Sequence, residues 1–416
     1  MNIEFKKNKP FIEGVNINNI IESYKTPLYI YSQKKILETY NKLKDNLSAN
    51  IFYAVKANSN QAILTLIKNC GAGADVVSYG ELRRSLKAGF KANKIIYEGV
   101  GKSKEDIEYA IKKNIRMINV ESINELILIN QLGKNLNKKV NIGLRLNPNI
   151  DSKTLDKIST GKKTDKFGIS LKDLKTIISK FNSYSNINLK GISCHVGSQI
   201  KDINIFKKVF KKMHELAKIC ISSGVHIDHV DLGGGFGINY NGKKNELDIK
   251  KLGKLVSTTF KNVPYDISFE PGRYLLAKSG IIITKILSTK QNGGINFLIT
   301  DAGMQTLIRP SMYGANHKID ALDVSSNKKI KYTVAGPICE SADILAKKIL
   351  LPEQKINNYL IIYDVGAYGA TMASNYNSRG IPTELLINKK KFAVIHKESI
   401  VDIIDRDSIP SWLRIN

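Results

Sequence analysis

From about residue 50 to residue 272, short runs of β-branched residues alternate with longer, lysine-rich amphipathic stretches, and no single motif constrains the fold as strongly as this alternation. Eight runs have strand length, at 51–55, 74–77, 95–97, 117–120, 140–146, 189–195, 229–232 and 266–269, and most segments between them are long enough for a helix. Repeated βα units of this kind predict an α/β fold, a (β/α)8 TIM-like barrel, with reactive groups collected at the C-terminal ends of its strands. The distinctive residues follow that rule. Lys56 follows the first run, Arg145 lies near the end of the fifth, and His195-Val196-Gly197-Ser198-Gln199 follow the sixth. Gly233-Gly234-Gly235-Phe236-Gly237 follow the seventh, and Glu270-Pro271-Gly272-Arg273 the eighth.

After Arg273 the texture changes to strand-like runs at 280–287, 296–299, 331–334, 359–363 and 391–395, separated by Gly, Asn and Pro. This predicts a second, mostly β domain of sandwich or barrel type. Residues 28–31 fit no βα unit and are candidates for an added strand there. The expected boundaries are 33–273 for the barrel, and 1–32 with 274–416 for the β domain. A length of 416 residues with 42% hydrophobic side chains is enough for two cores.

No apolar stretch reaches the roughly 18 residues of a membrane span, and Met1 to Pro10 lack the pattern of a signal peptide. The expectation is a cytoplasmic protein with no membrane partner. Cys70, Cys194, Cys220 and Cys339 form no C-x-x-C pair and read as reduced thiols, while His226 and His229 lack the carboxylate pattern of a zinc motif, so no metal is expected. The net charge of +27 is overwhelmingly lysine, spread along every helical segment without an arginine-rich block. It predicts solubility and a weak pull on anionic substrates rather than a nucleic-acid partner.

Lys56 ends a buried run, a costly place for an ammonium. It either reaches back to solvent, binds an anion, or forms an imine with a carbonyl. The glycine run fails the G-x-G-x-x-G fingerprint, because the third glycine position falls on Ile238 or Tyr240. It offers either a flexible turn or consecutive N–H groups able to cradle a phosphate. Glu270, at the end of a buried strand, needs a cationic or N–H partner, and a protonated pyridine nitrogen is one that fits. Arg273 can clamp a phosphate or carboxylate, or pair with Glu270. His195 can pack flat on an aromatic ring, with Ser198 available to a phosphate oxygen, or be a satisfied core histidine. Together these pieces describe a pyridoxal 5'-phosphate site.

With these motifs in this order from Lys56 to Arg379, the chain resembles the barrel-type, fold type III pyridoxal phosphate-dependent decarboxylases and racemases, and within them the branch acting on meso-diaminopimelate. The resemblance implies Lys56 as the Schiff-base lysine, His195 as the ring-stacking residue, and Ser198 with Gly233, Gly234 and Gly235 as phosphate ligands. It implies that Glu270, in Glu270-Pro271-Gly272-Arg273, faces the pyridine nitrogen and that Arg273 reaches phosphate or substrate. Pro271 and Gly272 join the cofactor-binding set, as does Tyr368 of Gly366-Ala367-Tyr368-Gly369, which also reaches substrate. Asp301-Ala302-Gly303-Met304, Arg309-Pro310-Ser311-Met312-Tyr313 and Cys339-Glu340-Ser341 resemble substrate-binding and catalytic segments. A homodimer is implied, with Cys339 and Glu340 completing the partner's site. Ala342 and Gly380 depart from the family's glycine and proline, which touches loop geometry and no reactive group.

Diaminopimelate carries a second carboxylate and a second ammonium at its distal carbon. Arg309 can take that carboxylate and Glu340 the ammonium, with Tyr313 adding a hydrogen bond, a pairing that disfavours ornithine and arginine. The implied reaction is decarboxylation to L-lysine, with Cys339, or a water it positions, delivering the proton to Cα. Three rival readings are a racemase using Lys56 and a tyrosine as two bases, a non-catalytic cofactor-binding homologue, and a basic nucleic-acid-binding barrel.

Overall fold

The computed structural model describes residues 1, 3–6, 9–152, 160–161, 165–240, 246–323 and 327–413. The chain divides into two compact units, one of Leu37–Asn239 with Lys244–Leu275, the other of Met1–Ile36, Tyr240–Lys243 and Leu276–Asn416.

In the first unit eight parallel strands, counted among the described residues, close into a barrel: Asn50–Ala54, Gly73–Val76, Ile95–Tyr97, Met117–Val120, Val140–Arg145, Ile187–Ser193, His229–Asp231 and Asp266–Phe269. Each strand pairs with its sequence neighbours, and the eighth returns to the first through Phe269 and Ile51. Burial on both faces explains the continuous β-branched runs, since every residue of Gly73–Val76 and Met117–Val120 is buried. The sixth strand starts two residues earlier than its run and ends at Ser193, because the amide of Cys194 crosses to Asp231 O and the chain then turns toward the mouth. His195 therefore lies on a loop.

The crossover helices start on side-chain caps, including Asn60, Ser78, Ser122 and Asp202, and Ser103 forms a full capping box with Asp106. Ile203–Ser222 shows why they lie down on the sheet. Its Phe206, Val209, Phe210, Met213, Leu216, Ala217 and Cys220 recur at helical spacing and are all buried. The Phe, Val, Met and Leu side chains among them contribute about 1.5–3 kcal/mol each on burial. A separate buried cluster of Phe52, Ile96 and Met117 comes from strands one, three and four.

The second unit is mostly β. Its sheet runs in the order Ile344–Pro352, Lys329–Ala335, Ile295–Thr300, Gly280–Asn292, Leu28–Ser32, Thr383–Asn388, Lys391–His396. Tyr359–Tyr363 also pairs with Gly280–Asn292, and Ile319–Ala321 pairs with Tyr359–Tyr363. Gly280–Asn292 is long enough to serve different partners along its length, which is why its first half is buried and its second half exposed. Residues 28–31 form the core of an internal strand, antiparallel to Gly280–Asn292 and parallel to Thr383–Asn388. Ile12, Ile17, Ile20, Leu28, Ile30, Ile281, Ile283, Ile361, Leu385 and Ile387 form this unit's core.

Candidate active site

The C-terminal ends of the barrel strands carry an unusually dense set of buried polar groups. Lys56 lies on the single 3-10 turn Val55–Ala57 that ends the first strand, between two buried neighbours. Its side chain is 37% exposed, and Nζ stands 3.4 Å from Asp75 Oδ2. Asp75 belongs to the second strand and is fully buried; among the described residues nothing hydrogen-bonds its Oδ1. Burial pushes the Asp75 carboxyl up to about 7, the Lys56 charge pulls it back, and Glu98, Glu81 and Asp231 push it further up.

Arg145 closes the fifth strand, but its charge is taken by two carboxylates. Its Nη1 lies 2.5 Å from Glu121 Oε1 and 3.7 Å from Glu98 Oε2, and the guanidinium stacks on Phe167 at 4.8 Å. Burial raises Glu121, and Arg145 opposes the rise.

Glu270 follows the eighth strand directly. Its amide donates to Gly233 O at 2.9 Å, while its Oε1 is buried with no hydrogen-bond partner among the described residues. Burial first, then Asp231, Asp75 and Glu98, push its carboxyl well above the carboxylate range, against the pull of Lys56. Left to these neighbours, Glu270 is a neutral acid with an unanswered oxygen. A cationic N–H reaching it would restore the charge and satisfy the atom.

His195 accepts a hydrogen bond at Nδ1 from the amide of Gly234, 3.2 Å away, which leaves any ring proton on Nε2. Burial, then Lys56 and Arg145, hold it well below the ordinary histidine range, so it is a neutral flat ring. Gly233 and Gly235 have φ of +68° and +79°, and a Cβ on Gly233, Gly234 or Gly235 would meet the carbonyl oxygen of Cys194, Glu270 or Gly197 within 2.3 Å. Close approach of the strand exits thus requires all three glycines. Two of the amides are spent inside the protein, Gly233 on Asp231 Oδ1 at 2.7 Å and Gly234 on His195, so the first two glycines hold the loop rather than offer free donors. Arg273 directs Nε and Nη2 to Ser198 Oγ at 3.3 and 3.2 Å, making a fork of guanidinium and hydroxyl. Gly272, next to Pro271, lets this exit approach the end of the first strand, since a Cβ there would lie 3.1 Å from that of Ala54 and 3.0 Å from that of Ala57 on the following turn.

In the β unit a second group forms on loops. Asp343 accepts the amides of Met304 at 2.6 Å and Ile338 at 2.7 Å, tying the 301–304 loop to the loop that carries Cys339 and Glu340. Ser311, on the short helix Arg309–Tyr313, donates to Ala342 O at 2.6 Å. Cys339 and Glu340 are exposed, and Tyr376 donates to Glu340 Oε1 at 2.6 Å. Arg309 is buried, with its guanidinium 4.4 Å over the Tyr240 ring and Nη1 2.7 Å from His317 Nε2. Tyr313 is half-buried, and Tyr368 holds a left-handed φ of +56°.

Sequence reasoning missed Asp75, Glu98, Asp231, Ser268, His317 and Tyr376. For Asp75 a signal existed, a charged residue inside a strand-length apolar run.

A closed (β/α)8 barrel whose strand ends gather a lysine and several buried carboxyls, with Glu270 Oε1 and Asp75 Oδ1 lacking hydrogen-bond partners among the described residues, is the arrangement of an enzyme that takes a cationic group at the barrel mouth. Residues 33–277 match the pyridoxal-binding domain of the pyridoxal-dependent decarboxylases, and the chain belongs to that family. It is 37% identical to the diaminopimelate decarboxylase of Aquifex aeolicus over 98% of this chain and 97% of that one. A crystal structure of diaminopimelate decarboxylase from Methanocaldococcus jannaschii in co-complex with L-lysine is 36% identical, with a TM-score of 0.94 and 99% of each chain covered. The Helicobacter pylori enzyme complexed with L-lysine gives 37%, 0.90, and coverage of 94% and 99%.

Proposed function

We propose that this enzyme removes one carboxylate of meso-2,6-diaminopimelate as carbon dioxide and releases L-lysine, the last step of lysine biosynthesis, with pyridoxal 5'-phosphate as cofactor. The observation that carries the reading is the buried carboxyl of Glu270, whose Oε1 has no hydrogen-bond partner among the described residues and which suits a protonated ring nitrogen.

Lys56 would hold the cofactor at its aldehyde carbon, His195 would lie on its ring face, and Ser198, Arg273 and the Gly235 end of the loop would take its phosphate. Tyr368 is assigned to the same group, and Pro271 and Gly272 set the approach of the Glu270 segment. Once bound, pyridoxal phosphate supplies a protonated ring that accepts the electron pair left on Cα as carbon dioxide departs. Glu270 would hold the proton on its ring nitrogen. Asp75, its carboxyl raised by burial, stands 3.4 Å from the Lys56 amine, within reach of a proton held there.

Arg309 and Tyr313 would bind the distal carboxylate and Glu340 the distal ammonium, with Arg273 and Tyr368 also toward substrate. Cys339 Sγ, or a water it holds, would place the proton on Cα. The exposure of Cys339 and Glu340 supports a homodimer in which they serve the partner's site. The four cysteines, all free thiols, support a cytoplasmic location.

The test is incubation of the purified protein with pyridoxal phosphate and meso-diaminopimelate, ornithine or arginine, following carbon dioxide and amine product together. Equal amounts of carbon dioxide and lysine from diaminopimelate alone are expected. Release from ornithine or arginine instead would overturn the substrate assignment.

A further inference from the structure

The seventh and eighth strands carry a line of polar side chains through the barrel that the reaction does not use. His229 opens the seventh strand, Asp231 closes it, and Ser268 is the register partner of Asp231 on the eighth; all three are fully buried. Arg116 Nη2 lies 3.3 Å from His229 Nδ1, so that nitrogen is the acceptor and the ring proton sits on Nε2. Nε2 faces Ser268 Oγ at 3.0 Å, and the Ser268 hydroxyl donates in turn to Asp231 Oδ2. The other oxygen of Asp231 takes the amide of Gly233 at 2.7 Å. The far end is open to solvent, because Arg116 and His229 line a cavity of about 450 Å³ with Lys94, Lys190, Asp228 and Asp266.

We propose that His229, Ser268 and Asp231 are positioning residues for the cofactor loop, an axial relay of hydrogen bonds that fixes the amide of Gly233 and, through Gly234, the ring of His195. Asp231 is where the two halves of the relay meet, accepting from Ser268 on one side and from the loop on the other. Gly233 is held at both ends, its amide by Asp231 and its carbonyl by the amide of Glu270, in a left-handed conformation that a free loop would hold only part of the time. The next amide sets which nitrogen of His195 carries a proton. Three polar side chains in a barrel core are costly where aliphatic residues would pack as well. Among the described residues, their side-chain hydrogen bonds reach the cofactor side through this loop.

The proposal rests on the cofactor reading above, and its test separates the two. Apo protein is titrated with pyridoxal phosphate, and hydrogen exchange of the Gly233–Gly235 amides is followed in the absence of cofactor, for wild type, Ser268→Ala, Ser268→Thr and a control, Leu126→Ala, that removes buried packing on the crossover helix Ile123–Asn135. Ser268→Ala is expected to weaken cofactor binding about ten-fold or more and to speed loop exchange by a similar factor. Ser268→Thr, which keeps the hydroxyl, should recover both, and Leu126→Ala should lower Tm without either effect. Unchanged loop exchange in Ser268→Ala, or equal losses in Leu126→Ala, would overturn the relay. If wild type bound no pyridoxal phosphate the cofactor reading would fail, and the exchange arm would still decide the relay. Should Ser268→Ala not fold, His229→Leu against His229→Gln gives the same contrast, loss in the first and recovery in the second, and two equal results would sink the idea.

Discussion

In the barrel unit Asp75, Asp231 and Glu270 are sealed among strand ends, whereas in the β unit Cys339, Glu340 and Tyr376 stand on exposed loops. The difference is one of physical means. Burial, and the strong fields buried groups exert on each other, raise the carboxyls of Asp75 and Glu270 and keep His195 neutral. Exposed groups are screened, so the β unit relies on geometry, with Asp343 and Ser311 fixing the loops that present Cys339 and Glu340. On the assignments proposed above, the barrel unit carries the groups that tune the cofactor, and the β unit carries the distal substrate contacts together with the proton donor Cys339.

Substitutions can break this division, and the largest effect belongs to Lys56. Lys56→Ala should remove turnover by at least about 10³-fold while circular dichroism and Tm stay close to wild type. Residual activity near wild type would place the reactive amine elsewhere. Glu270→Gln comes next, since an amide cannot carry the charge that keeps a ring nitrogen protonated; kcat should fall by about 10²–10³-fold with KM little changed. In the β unit Arg309→Lys should act mainly on KM, raising it about ten-fold, because a point charge replaces a planar fork that is stacked on Tyr240. A fall in kcat alone would erase the distinction between the halves.

The smallest effect is on apo stability. Asp75 and Glu270 have folded pKa values above their ordinary ones, so the native state binds protons that the unfolded state has lost. Their contribution is fully present below about pH 4, the ordinary carboxyl range, and is lost as pH rises through about 7 and beyond. Thermal melts of apo protein from pH 5 to 8 should therefore show Tm falling, on the order of 2–4 °C for each kcal/mol lost, and Glu270→Gln should flatten the slope. A wild-type Tm that rose across this interval would contradict the buried-acid picture.

How much of this was legible in the sequence also divides along the same line. Parallel strands buried on both faces need continuous apolar runs, so all eight barrel strands show at 51–55 through 266–269, with ends displaced by at most two residues. In the β unit Ile344–Pro352 was not legible, because Lys347 and Lys348, the latter at φ +56°, interrupt a half-exposed strand with a pattern that reads as helix. Thr383–Asn388 was missed too, since its place beside Leu28–Ser32 depends on a partner more than 350 residues away. Lys56, His195, Glu270 and Arg273 stood out because they follow strand-length runs. Asp231 and Ser268 lie inside such runs, and nothing local shows that barrel closure sets them side by side.

The most direct test of the division is Glu340→Gln, measured twice: its dissociation constant for pyridoxal phosphate and its KM for meso-diaminopimelate. The account predicts a cofactor constant within about two-fold of wild type and a KM raised at least about ten-fold, because the lost charge is the one assigned to the distal ammonium and not to the cofactor. A weakened cofactor with an unchanged KM would contradict it.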